Sequence, residues 1–142
     1  MKIINEVNNE TIRQACGLVQ LHFKDKDLED FFNDVKFNYT TNNGNDVCWN
    51  SLNFEETVYV KPYTSLSPWS KVIGYATDNT IYINTRKLDL PLKDRIENIR
   101  HECYHLQGYS HKGNKVTEFN LKTVPYLGAN LFVKYLESVG KV

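Results

Sequence analysis

The sequence predicts a single α+β domain, and three observations predict it. The chain has 142 residues, the length of one ordinary domain and enough to bury a core without staples. Hydrophobic residues make up 41% and aromatic residues 13%, which excludes a disordered chain. β-Branched and aromatic runs gather in the middle third, while the stretches on either side repeat their apolar residues every three or four positions. Helices therefore flank one small sheet. The sequence shows no internal repeat and no linker.

Thr11 and Gln14 fit a Thr-x-x-Gln capping box, and Ile12, Ala15, Cys16, Val19 and Phe23 follow at helical spacing. His22 lies in or beside this helix without a partner motif, so it is expected at the surface or its boundary. A second short helix reads from Asp27, with Leu28, Phe31, Phe32 and Val35 inward. "TTNNGND" (residues 40–46) reads as a turn around Asn43-Gly44. "TVYVKPY" (57–63) and "KVIGYA" (71–76) read as strands, and the loop between them carries an exposed Trp69. Asp78-Asn79 predicts a tight turn into a third strand at Thr80–Thr85. The expected sheet is small and antiparallel.

After Leu90-Pro91 the period changes. Leu92, Ile96, Ile99, Cys103 and Leu106 mark one stripe of a helix, and Gly108 is placed to stop it. A last helix is expected from near Thr123, with Pro125 in its first turn. Its stripe is Leu127, Leu131, Phe132, Tyr135, Leu136 and Val139, and Gly140 ends it.

The formal net charge is zero, which argues against a dedicated nucleic-acid binder. Residues 1–60 carry five Lys/Arg and ten Asp/Glu; residues 61–142 carry twelve and seven. No run has the length of a membrane span, so no membrane partner is expected. The start has no apolar core of a secretory signal, so a cytoplasmic protein is expected. Cys16, Cys48 and Cys103 are odd in number and widely spaced, which predicts reduced thiols rather than a disulfide framework. Cys103 lies on the apolar stripe and reads as buried.

Three of the four histidines fall in "HECYHLQGYSH" (101–111). His101 and His105, four apart on a helix, share one face, roughly opposite the apolar stripe. Glu102 lies beside them. In H-E-x-x-H such a glutamate takes a proton from the water that a metal ion activates, and it can pass that proton to a leaving amine. Gly108 tolerates positive φ and lets the chain turn, so that His111 can swing back. Three nitrogens with an open fourth position describe a catalytic zinc site. At ordinary residue frequencies the full pattern arises by chance in roughly one chain per hundred thousand of this length.

These eleven residues match H-E-x-x-H-x-x-G-x-x-H and resemble the zinc signature of the metzincin metallopeptidases. The resemblance implies a zincin-like fold, Zn2+ held by His101, His105 and His111, Glu102 as general base, and a peptide or protein substrate. It also implies that an edge strand above the helix binds an extended substrate, and "TIYINTR" (80–86) is the candidate strand. Metzincins carry a methionine turn under the metal, whereas the only methionine here is Met1. "TVPYLG" (123–128) stands at that place, and Tyr126 could stabilise an oxyanion there. With "IGYATDNTIYINTR" and "VPY", the chain is similar to small uncharacterised zincin-like proteins from bacteria and phages. Such a setting leaves room for a phage-encoded or non-classically exported protein. Glu118 and Glu137 are the alternatives to His111 as third ligand. The alternative function is a non-catalytic binding module in which the metal is structural.

Overall fold

The computed structural model describes all residues from Met1 to Val142. Its helices and strands form one α+β unit, as expected. Strand β1 (Lys2–Asn5) leads into helix α1 (Glu10–His22). A single 3-10 turn precedes the short helix α2 (Glu29–Phe32), and α3 (Gly44–Leu52) follows. Strands β2 (Thr57–Tyr63), β3 (Gly74–Thr77) and β4 (Thr80–Asn84) complete the sheet. Helix α4 (Leu92–Leu106) carries the two helical histidines, and α5 (Ala129–Ser138) closes the chain.

The sheet is mixed rather than antiparallel, with strand order β1-β2-β4-β3. β1 pairs parallel with β2, placing Ile3 beside Val58, and β2 pairs parallel with β4, placing Val60 beside Ile81. Only β3 and β4 form a hairpin. Asp78 and Asn79, both at positive φ (50° and 59°), make its two-residue turn. β4 is therefore an internal strand, and the expectation that residues 80–86 form the open edge is corrected. The edge beside α4 is β3, against which α4 packs more closely than against β4.

Val58, Val60, Ile81 and Ile83 fill one face of the sheet. Ile12, Ala15 and Val19 of α1 join them in one core with Ile96, Ile99 and Cys103 of α4 and Phe132 and Leu136 of α5. Each of these side chains is removed from water, at about 25 cal/mol per Å² of apolar area. The α4 stripe is buried where expected, with Leu92 and Leu106 packed at its ends.

Four local readings are corrected. The N-cap of α1 is Asn9, whose side chain accepts from the Ile12 amide, because the helix starts at Glu10, one residue before Thr11. His22 is buried, not at the surface: its Nδ1 meets Asp25 Oδ2 at 2.7 Å, and Asp25 also accepts from the Tyr135 hydroxyl at 2.6 Å. Asn43-Gly44, read as a turn, opens α3 through a reciprocal capping box with Asp46. Gly44 is required there, since a Cβ would fall 1.6 Å from the Phe32 carbonyl oxygen. Finally, residues 124–128 form a π-helical turn ahead of α5, and Val139 is exposed beyond it.

Candidate metal centre

Helix α4 sets two imidazoles one turn apart, both half-buried, on the face away from its apolar stripe. The helix stops at Gln107. Gly108 takes φ 97°, a conformation that strains any residue with a Cβ, and the Tyr109 amide turns back to the Tyr104 carbonyl. That reversal brings His111 to the helix. His105 Nε2 lies 3.1 Å from His101 Nε2 and 3.2 Å from His111 Nε2.

The other ring nitrogen of each imidazole decides what these contacts are. His105 Nδ1 is 2.8 Å from the Tyr109 carbonyl, and His111 Nδ1 is 2.7 Å from the Gly113 carbonyl. A carbonyl accepts, so the Nδ1 of His105 and the Nδ1 of His111 carry the proton and the Nε2 of each presents a lone pair. Those two lone pairs then face each other 3.2 Å apart with no proton between them, and His101 Nε2 lies 3.1 Å from the first. That arrangement is repulsive unless a cation occupies the centre. Two nitrogens each 2.0–2.1 Å from a tetrahedral ion lie about 3.3 Å apart, close to the separations here. The donor set therefore fits a small divalent ion with one position left open. His101 is held down to about 3, by burial first and then by the imidazoles of His105 and His111, so it stays neutral as a ligand must. Burial also lowers His105.

Glu102 is buried at 6% exposure and does not belong to the imidazole cluster. Burial pushes its carboxyl up to about 8. Tyr126, expected only weakly from the sequence, stands at the cluster. Its ring lies 4.6 Å from His101 and 5.0 Å from His111, centroid to centroid. Burial and then the charge of Glu102 raise its phenol, which keeps the hydroxyl protonated and able to donate. The π turn that carries Tyr126 thus lies against the imidazole cluster. Met1 is elsewhere, its amino group donating to the Phe54 carbonyl.

Glu118 is exposed and Glu137 pairs with Lys93 at 3.5 Å, so neither competes with His111. Cys103 is fully buried and burial raises its thiol to about 11, consistent with a packed side chain and not a ligand. The sequence reading missed the groups that support the site. The Tyr109 hydroxyl accepts from Asn42 at 2.9 Å and Asn50 at 2.6 Å, which anchors the residue whose carbonyl holds His105. Asn120, fully buried, closes the loop after His111 by bonding both backbone groups of Lys112 and the Lys115 carbonyl. No signal in the sequence marks these long-range partners among sixteen asparagines. No helix is long and apolar enough to cross a membrane.

Comparison with protein-family models, curated proteins and solved structures found no match.

Proposed function

We propose that the chain is a zincin-like, zinc-dependent peptidase. The observation that carries the reading is the convergence of three imidazoles through Nε2, with the Nδ1 atoms of His105 and His111 engaged by backbone carbonyls. Zinc suits three neutral imidazoles in tetrahedral geometry, and when bound it acidifies water and polarises a carbonyl. His101, His105 and His111 hold the ion. Burial alone favours the protonated Glu102 carboxyl, and the charge of a bound ion beside it would favour the ionised form, in which Glu102 can take the proton from the attacking water and deliver it to the leaving amine. The open edge of β3 lies next to α4 and is suited to pair with an extended polypeptide.

Tyr126 donates its phenolic hydrogen to the oxyanion that develops on the substrate carbonyl. Tyr126→Phe is expected to lower kcat by about a hundredfold, with KM nearly unchanged, because that bond strengthens in the transition state. An unchanged kcat would remove Tyr126 from the mechanism. The reading as a whole is tested by exposing a broad peptide library to the zinc-loaded chain and mapping products by mass spectrometry. New termini should be produced by the natural chain and be absent after chelation. An uncut library with zinc bound would favour a structural metal instead.

A further inference from the structure

We propose that the cavity between α2, α3 and α4 binds one small monovalent anion, chloride, held by the guanidinium of Arg100 and the hydroxyl of Ser51. The proposal stands independently of the peptidase reading, since Arg100 stacks on the core residues Tyr104 and Phe132 and takes no part in the imidazole cluster.

Arg100 is fully buried, yet no carboxylate lies within ion-pairing distance of it. Its two terminal nitrogens reach neutral side chains only. One donates to Gln107 Oε1 at 3.3 Å and the other to Ser51 Oγ at 3.0 Å. Its Nε–H has no partner. The guanidinium carbon lies 4.0 Å from the centre of the Tyr104 ring and 5.5 Å from that of Phe132, contacts that ease the charge without neutralising it. The groups around it that could carry negative charge do not. Burial raises the Cys48 and Cys103 thiols to about 11 and the Tyr104 phenol to about 12. A buried charge without a counter-charge is costly to keep. Arg95, the other fully buried guanidinium, also has an unpartnered Nε, but it donates to the Lys87 backbone carbonyl at 2.6 Å.

Ser51 of α3 supplies a second donor. Its Oγ accepts from Arg100 and, at 3.2 Å, from Gln107 Nε2, which occupies both lone pairs. Its one hydroxyl hydrogen is then left to donate, and no protein group accepts it. Arg100 and Ser51 line the same cavity, walled by Leu28, Phe32, Cys48 and Tyr104. Two hydrogens without acceptors and one unanswered positive charge thus share a single void. The void offers about 10 Å³ to the centre of a water-sized particle, room for a monatomic ion but not for sulfate or phosphate. A water molecule would take the two hydrogens and leave the charge unanswered. Of the charged groups at the mouth, Asp25 is engaged by His22 and Tyr135, while Lys24 and Glu29 are exposed and opposite in sign.

The test is urea unfolding of the full zinc-loaded chain at fixed ionic strength, with sodium gluconate exchanged for sodium chloride. Gluconate is too large for the void, so only chloride can bind there. At about 0.3 M salt the exchange should lower the unfolding equilibrium constant at least about tenfold, because an ion bound only to the folded state stabilises it. Ser51→Ala removes one of the two donors and should shrink that difference to about twofold or less. Equal stability of the natural chain in the two salts overturns the proposal. So does an undiminished difference in Ser51→Ala, which would place the chloride elsewhere, for instance at the open position of the metal. A second measurement needs no variant. Crystals of the natural chain grown in sodium bromide should show an anomalous peak within contact distance of Arg100 Nε and Ser51 Oγ. A map without bromide there, or with the Glu29 carboxylate turned in on Arg100, also overturns the proposal.

Discussion

Glu102→Ala is expected to reduce peptide hydrolysis by about a hundred- to ten-thousand-fold, the usual contribution of a positioned general base. Zinc content should stay near one per chain, since Glu102 is outside the imidazole cluster. The fold should survive, because the apolar stripe of α4 is untouched and alanine is a good helix former. A second readout separates the carboxylate from any general damage. Burial raises Glu102 from an ordinary 4.5 to about 8 in the folded chain. Between those values the folded state holds a proton that the unfolded state has lost. Metal-stripped natural protein should therefore lose stability as pH rises from about 4.5 through 8. Glu102→Ala should escape that loss, gaining on the natural chain by an amount on the order of a few kcal/mol between pH 4 and pH 8. Urea unfolding of both stripped forms at the two pH values measures it. Cleavage that persists in Glu102→Ala would refute the proposed proton relay while leaving the metal site intact.

His111→Ala should be the most damaging substitution for metal binding. Two ligands on one helix cannot close a site, and the third arrives only through the reversal at Gly108. The loss of zinc affinity should exceed the ten- to hundredfold typical of a supporting group. Competition with a chromophoric chelator measures it. Glu118→Ala is the control, and its affinity should match the natural chain because Glu118 is exposed and outside the cluster. If the two variants exchanged behaviours, the ligand assignment would be wrong.

The parts of this molecule legible in the sequence are those with a strong local period or a fixed spacing. The stripe from Leu92 to Leu106 places α4, and the intervals His101–His105–Gly108–His111 bring three imidazoles together because helix pitch and a positive-φ glycine are local properties. The Asp78-Asn79 turn is local in the same way. What depended on distant partners was not legible. β1 is four residues long and owes its existence to pairing with β2, fifty-five positions on in register from Lys2 to Thr57. The same non-locality turned an expected antiparallel sheet into a mixed one and moved the open edge from β4 to β3. Asn43-Gly44 reads equally well as turn or helix start, and only the close approach of Phe32 to Gly44 decides it. His22 looked unpartnered because its acceptor Asp25 is held in place by Tyr135 of α5, which is distant in sequence. Tyr126 was one of nine tyrosines until the π turn set its ring against His101 and His111.

Hydrolysis by one metal ion on three imidazoles is the proposed activity of this chain. It is tested most directly by titrating metal-stripped protein with zinc while following cleavage of a peptide identified from the library. Activity should rise linearly from zero and level off at one zinc per chain. Cleavage that is already complete without metal, or none at any ratio with zinc tightly bound, would contradict it.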